Sequence, residues 1–588
     1  MGILASPGYK TNSLLNDILV PETVRTIDFR GLNRRQIIED GEMHDMQNLS
    51  SDHYPLLTPR RPRGTVSLPS DIQQPRQIFR RYDKIALIAY DKQDNVCFYY
   101  DGKKVDKVTG LSGKTRAVCI NTKICFFPEN TFLTVSQEDG TVTIGEYGHL
   151  DASSELTDAE VTISLDSTVM AMPAGHGFGY DDAIEIKGTM TYTPDGETDP
   201  TEKEVTVSCI VEDASENSIT LPANTFIELT GSEDDITFSG TVSRSIPSFD
   251  SNLVIEWNNR LWAASNKDNT LYACKLGDPK NWLYYQGTSL DSYYAQQGSD
   301  EIFTAIGEYS GHLLFFKPNS ITRVYGTAPS NFQITTSRVF GVEKGSSLSV
   351  LTINDIVFYK SAVGIMAYQG GVPYCISDAL DCKFADVVAG TEGQKYYASI
   401  HNLDTDKWEL MVYDIEKALW HKEDDLKFYS TCTIDNSLIY ISRKPIENLL
   451  LPSEKLYPSD SLYPVSEVEP GYAGIINPQT ADEKWKDIEW MALFGPFDEY
   501  IEEHKIYSKL AFSLKSYSKE RASARIYVSI DDGPWELVKK YEQVSTFGDY
   551  LPVIPRRCDR YSVKVVGRGN CAVKSLTRRV RQGSLARI

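Results

Sequence analysis

Residues 253–282 read LVIEWNNRLWAASNKDNTLYACKLGDPKNW. An apolar run meets an Asn-Asn break, a second run ends in SNKDNT, and a third carries Tyr272. Asn and Asp tolerate the left-handed backbone of tight hairpin turns, so the stretch predicts antiparallel strands joined by short turns. The same grammar recurs at 78–105, 118–142, 303–326, 349–376, 396–423 and 428–443. In most of these a strand of alternating or continuous apolar residues meets an Asp, Asn, Gly or Lys turn and then a strand carrying Tyr, Phe or Trp. A spacing of about 30–50 residues is that of propeller blades. A lone hairpin cannot hide its apolar faces from water, whereas several blades packed around an axis can. The predicted fold class is therefore all-β, with a β-propeller over 65–148 and 248–445.

The remaining segments differ in composition. With 588 residues the chain exceeds a single core, and 34 Tyr against 9 Met suits sheet. Of the formal charge of −21, most sits in one place: 150–247 holds 20 Asp or Glu against Lys187, Lys203 and Arg244. That stretch carries strand-like runs between Gly, Pro and Asp turns, which predicts an acidic inserted β-domain over 149–247. Residues 446–484 are Pro-rich and repeat LYPSDSLYP, a linker or extended arm that excludes helix and central strand. Strand patterns return over 485–588, with a DDGPW hairpin turn, and predict a β-sandwich. Its end is basic, with ten Lys or Arg over 556–588 against Asp559. Residues 1–64 form an N-terminal arm and opening motif, in which RRQIIEDGEMHDMQNL (34–49) is the one short helix candidate.

Chemistry leaves little trace. The ten Cys are scattered without a CxxC pair, and the eight His show no metal-ligand spacing, which predicts reduced thiols, no metal and no cofactor. There is no GxSxG elbow and no P-loop, and the Asp-rich turns lack the spaced ligands of a calcium loop, so no catalytic residue is assigned and no enzyme is expected. An overall acidic balance argues against gripping nucleic acid as the main task. No apolar run is long enough to span a membrane, and the start lacks a secretion signal. Trp257, Trp262, Trp282, Trp408 and Trp420 suit blade cores better than a sugar-binding surface. The TPRRPRG run (58–64) reads first as a solvated strand entrance, and second as a contact with a neighbouring subunit or DNA.

Three stretches carry a resemblance. In FRGLNRRQIIEDGEMHDMQNLSSDHYPLLTPRRPRG, Gly31, Leu32 and Asn33 come first, then Gly41 and Glu42, Asn48 and Leu49, and the Pro59, Arg60, Arg61, Pro62 run ending at Gly64. In the blade at 253–282, the residues are Arg260, Trp262, Asp268, Tyr272, Gly277, Asp278, Pro279 and Trp282. The third stretch is the C-terminal IPRRCDRYSVKVVGRGNCAVKSLTRRVRQGS. The chain resembles the phage tail-hub propeller proteins, which include packaged-DNA stabilisation proteins and tail tubular nozzle proteins of short-tailed phages; its end is similar to tail proteins of phages of Gram-positive bacteria. The resemblance implies a structural virion protein, assembled in the host cytoplasm. Copies of itself, six on the family's pattern, would form a ring between portal and adaptor proteins and later tail parts, with DNA passing through at ejection and no membrane insertion. Arg578, Arg579, Arg581 and Arg587 are then candidates for subunit or DNA contacts. The alternative is a carbohydrate-binding or carbohydrate-cleaving propeller at the tail tip.

Overall fold

The computed structural model describes residues 22–164, 166–194, 199–223, 225–226, 236–298, 300–443, 471–478, 480–498, 505–516, 522–544, 547–551 and 556–582. Among these the chain is all-β, with no α-helix and four short 3-10 turns. It is a β-propeller with an inserted β-domain and a C-terminal β-sandwich, and it divides into two compact units. One comprises Arg81–Ala362 with Tyr368–Pro373; the other comprises Met1–Arg80, Val363–Ala367 and Tyr374–Ile588.

The unit beginning at Arg81 holds blades in succession. Strands within 116–149, 254–296 and 305–337 each form a four-stranded antiparallel meander. Neighbouring blades pack face to face. Ile120, Cys125, Phe127 and Phe132 meet Leu261, Ala263, Cys274 and Trp282, and Trp257, Trp262 and Leu271 meet Leu313, Phe315 and Val324. Turn chemistry sets the register. Asn258 and Asn259, and Asn354 and Asp355, hold φ between 49° and 58° in two-residue hairpin loops, the conformation Asn and Asp reach at least cost. Between the first and second of these meanders stands the insert, one seven-stranded sheet built from Ala152–Ile163, Ser167–Ala171, Ala183–Tyr192, Thr201–Ile210, Asp213–Ala214, Ser218–Pro222 and Thr237–Arg244. Its own core centres on Met170, Ile186, Met190, Phe238 and Val242.

The other unit holds two further blades and the sandwich. Phe384–Glu392, Lys395–Asn402, Lys407–Asp414 and Leu419–Lys422 form one meander. The next is composite: Ser430–Ile434, Ser437–Arg443 and Gly471–Ile475 are completed by Gly64–Val66 from the start of the propeller sequence. Such a shared blade fastens the first strand of a propeller to its last. Here the sequence reading of 446–484 is corrected at its end. Gly471–Ile475 is an interior strand, paired with Ser437–Arg443 on one side and Gly64–Val66 on the other, because GYAGI lacks the Pro that bars central pairing. The LYPSDSLYP repeat lies outside the described residues.

The sandwich draws on both chain ends. Its five-stranded sheet joins Glu22–Thr26 to Cys571–Gln582, Lys505–Ser516, Phe547–Leu551 and Arg556–Cys558. Its six-stranded sheet joins Gly31–Leu32 and Glu42–Gln47 to Glu489–Phe497, Tyr561–Arg568, Ser523–Ile530 and Glu536–Tyr541. Residues 22–47 are thus part of the sandwich rather than a separate arm. The helix candidate at 34–49 is likewise a strand over Glu42–Gln47. Met43 and Met46 are both buried although three apart, a helix-like spacing produced by a register shift between Met43 and Asp45. Such a bulge resets the alternation of a strand.

Candidate functional site

The residues of the opening motif gather in one seam, in the unit that contains the sandwich. Gly31 has φ +89°, and a Cβ there would stand 2.3 Å from the Trp420 carbonyl oxygen, so only glycine lets this strand lie against the blade strand Leu419–Lys422. Gly41 has φ +94°, with the Asp28 carbonyl oxygen 2.1 Å from where a Cβ would be. Between them Leu32 is buried, and Asn33 donates to the Glu42 carboxylate at 2.7 Å, which also accepts the Glu39 N–H at 2.7 Å. Asn48, in the left-handed region at φ +54°, connects three elements. Its N–H donates to the Glu423 carbonyl; its Nδ2 donates to the Glu489 carbonyl at 2.7 Å; and its Oδ1 accepts from Arg60 Nε at 2.8 Å. Pro59 pairs opposite Leu49.

Around this node lies a buried ionic network that sequence reasoning did not find. Arg60 reaches Glu483 at 2.8 and 3.2 Å and Asp424 at 3.4 Å, and Arg63 reaches Glu423 at 2.6 Å and Asp424 at 2.9 Å. Arg34 grips Glu409 through two bonds of 2.9 Å, and Lys422 adds a third cationic contact to that carboxylate at 3.0 Å. Lys395 pairs with Asp52 at 2.5 Å, and Ser51 donates to Asp414 at 2.6 Å. The TPRRPRG run is therefore no solvated entrance at Arg60 and Arg63. Both are buried, and only Arg61 stands exposed, beside Asp52 at 3.1 Å. Burial alone would raise the Glu409 and Glu423 carboxyls. The hydrogen bonds and charges of Arg34 and Lys422 together outweigh it for Glu409, and those of Arg63, His421 and Lys395 together do so for Glu423, leaving each at about 2. Burial lowers the His421 pKa, with Glu423 partly opposing it from 3.5 Å. The partners of this network are far apart in sequence, so the nearest legible signal was basic residues in RRPR and acids in KEDD with no local counter-charge.

The second motif forms a different joint, in the unit beginning at Arg81. Arg260 is 1% exposed, and its guanidinium donates to the carbonyls of Cys274 at 2.8 Å, Ser289 at 2.7 Å and Asp291 at 2.5 Å. Trp262 and Trp282 are buried in the blade cores. Trp282 Nε1 donates to the Pro279 carbonyl at 2.9 Å, and Gly277, at φ +75°, presents its carbonyl to Asn121 at 3.0 Å. Asp278 accepts from Asn281 at 2.5 Å. Asn281 in turn accepts the Ala183 N–H at 2.8 Å, and Lys275 pairs with Asp181, so the GDPKNW turn is where the insert is held to its blade. Arg244, at the insert's last strand, completes the joint through Asp182 and the carbonyls of Leu150 and Gly177, both at 3.0 Å.

The basic end separates into different roles. Arg578 is buried, pairs with Asp40 at 2.5 Å and lies 3.8 Å from the Phe497 ring centre, which removes it from the candidates for DNA or subunit contact. Arg579 is exposed on the same strand. Arg581 is described by its backbone, paired with Ile506, and Arg587 lies outside the described residues. Trp257 and Trp420 are buried, and Trp408 stacks on His401 at 5.0 Å. All ten Cys are free thiols. Among the described residues no group of His, Cys, Asp and Glu is placed to hold a metal ion, and no helix is long and apolar enough to cross a membrane.

No family model matches the chain, and no curated protein does. Among solved structures it is similar to an exo-beta-1,3-galactanase from Phanerochaete chrysosporium with galactose, at 8% identity over 88% of this chain and 100% of that one, with a TM-score of 0.22. It is also similar to BBS1N in complex with ARL6DN, at 10% identity over 71% of this chain and 95% of that one, with a TM-score of 0.22.

Proposed function

We propose that this chain is a structural protein of a bacteriophage tail, acting by assembly and not by catalysis. In this reading copies of the chain, six on the pattern of the family it resembles, form a hub or nozzle ring in the virion. Portal and adaptor proteins dock on one side and distal tail parts on the other, and DNA passes at ejection. The observation that supports it is where the resembling residues act. Gly31, Asn48 and Arg60 fasten the opening segment to a sandwich strand and a blade, and Gly277, Asp278 and Trp282 form the turn that holds the insert. These are internal joints. A part that transmits load needs its modules fixed to one another, and buried charge pairs between segments resist sliding because separating them strands a charge. The insert's negative charge would keep phosphate from adhering if it faces a channel. Native mass spectrometry of the purified chain tests the reading: a closed oligomer of defined number supports it, and a monomer at all concentrations opposes it.

A further inference from the structure

Within the unit beginning at Arg81, a cleft of about 610 Å³ is lined by strands of the 305–337 blade and by the segment that leads into it. Its volume lies within the range of small-ligand sites. Neither motif described above reaches it. The floor is polar, and its Lys317, Ser320 and Thr322 are buried. Lys317 is 1% exposed and donates to Asn269 Oδ1 at 2.7 Å, and the Thr322 and Thr336 hydroxyls share a hydrogen bond of 2.9 Å. Ser320 is 6% exposed, and its hydroxyl is buried without a protein partner. A buried hydroxyl left unpaired costs about 1–3 kcal/mol, so this group awaits an acceptor or donor from within the cleft.

The rim supplies both kinds of hydrogen-bonding group: Asp300 and Glu301 as acceptors, Arg338 as donor, and Gln297 and Asn319 as both, with Asn319 Nδ2 already donating to one Glu301 oxygen at 2.7 Å. Two carboxylates against Lys317 and Arg338 leave the lining without net charge, which favours neither a cation nor an anion. Asp300 and Glu301 also line an adjoining cleft of about 390 Å³ that includes Gln296. Two residues before Gln296, on the same face of the edge strand Tyr293–Gln296, Tyr294 is 59% exposed, with its ring 6.0 Å from that of the exposed Tyr285. Closely set donors and acceptors, no net charge and an accessible aromatic face match the alternating hydroxyls and C–H faces of a sugar.

We infer that this cleft binds a neutral saccharide, with Ser320, Asn319, Arg338 and Glu301 taking its hydroxyls and Tyr294 stacking on a ring. The site adds a ligand-binding role to the blade and does not depend on ring assembly. The test is calorimetric titration of the full chain with neutral trisaccharides of glucose, galactose, mannose and N-acetylglucosamine, and with inorganic phosphate. At least one trisaccharide should bind with a dissociation constant of about 1 mM or tighter, weakened roughly ten-fold or more by Arg338→Ala and by Tyr294→Ala. Both side chains are exposed, so circular dichroism of the variants should match the unaltered chain. Absence of binding by every trisaccharide, binding unchanged in both variants, or binding of phosphate in their place would overturn the assignment.

Discussion

Replacing Glu409 by Gln keeps the shape of the side chain and removes its charge. The carboxylate accepts two bonds of 2.9 Å from Arg34, one of 3.0 Å from Lys422 and one of 3.2 Å from Asn402. After the change the buried Lys422 and the largely buried Arg34 share an amide that offers one acceptor atom. Removing one partner of a buried pair costs ~3–5 kcal/mol, because the remaining charge is left without compensation. A chain of this size with several modules need not unfold in one step, so a global melting temperature is a poor gauge. Hydrogen exchange of peptides from Lys395–Asn402 and Lys407–Asp414 reads the local opening instead. The expected result is exchange roughly 10² to 10⁴ times faster in these strands, with the 305–337 blade unchanged. The double variant Arg34→Met, Glu409→Leu should exchange more slowly than Glu409→Gln, since Lys422 retains Asp425 at 3.1 Å and no buried guanidinium is stranded. Exchange within about three-fold of the unaltered chain in Glu409→Gln would show that the seam does not hold the blade, and would refute the reasoning.

Three further outcomes follow from the same geometry. Glu409 and Glu423 sit at about 2 when folded, so their stabilisation is complete above the unfolded carboxyl value of about 4.3 and is lost as pH falls towards 2; exchange at the seam should accelerate across that window before it does in the 305–337 blade. Gly31→Ala forces a Cβ against the Trp420 carbonyl at a positive φ and should cost at least about 2 kcal/mol, seen as faster exchange in Leu419–Lys422. Arg260→Met leaves the carbonyls of Cys274, Ser289 and Asp291 without their donor and should admit protease cleavage within 283–291, while cleavage elsewhere stays as before.

The architecture was legible where local chemistry decides it. Two-residue Asn and Asp turns such as 258–259 and 435–436 take positive φ, and they separate short apolar runs such as 260–265 and 437–443, so both the strands and their antiparallel pairing could be read directly. The insert announced itself by charge, because one self-contained sheet with its own core could drift in composition independently of the blades. Other features are set by partners distant in sequence. Glu42–Gln47 joins a strand more than 440 residues away, and its bulge gives Met43 and Met46 the spacing of a helix. Arg60 and Arg63 sit in a Pro-flanked basic run that reads as solvated until Glu423, Asp424 and Glu483 are brought beside it. Arg578 sits within a basic tail, and only the fold supplies Asp40. The cleft at Ser320 left no mark at all, since Ser, Thr and Asn in a hairpin are ordinary turn and edge residues.

The central claim is that this chain works as a ring in a virion, and cryo-electron microscopy of the assembled particle addresses it most directly. The account predicts an axial ring of this chain between the portal and the distal tail, surrounding an open channel, with the joints at Asn48 and Asn281 intact in every copy. The chain absent from the particle, or present only as isolated peripheral copies without a channel, would contradict it.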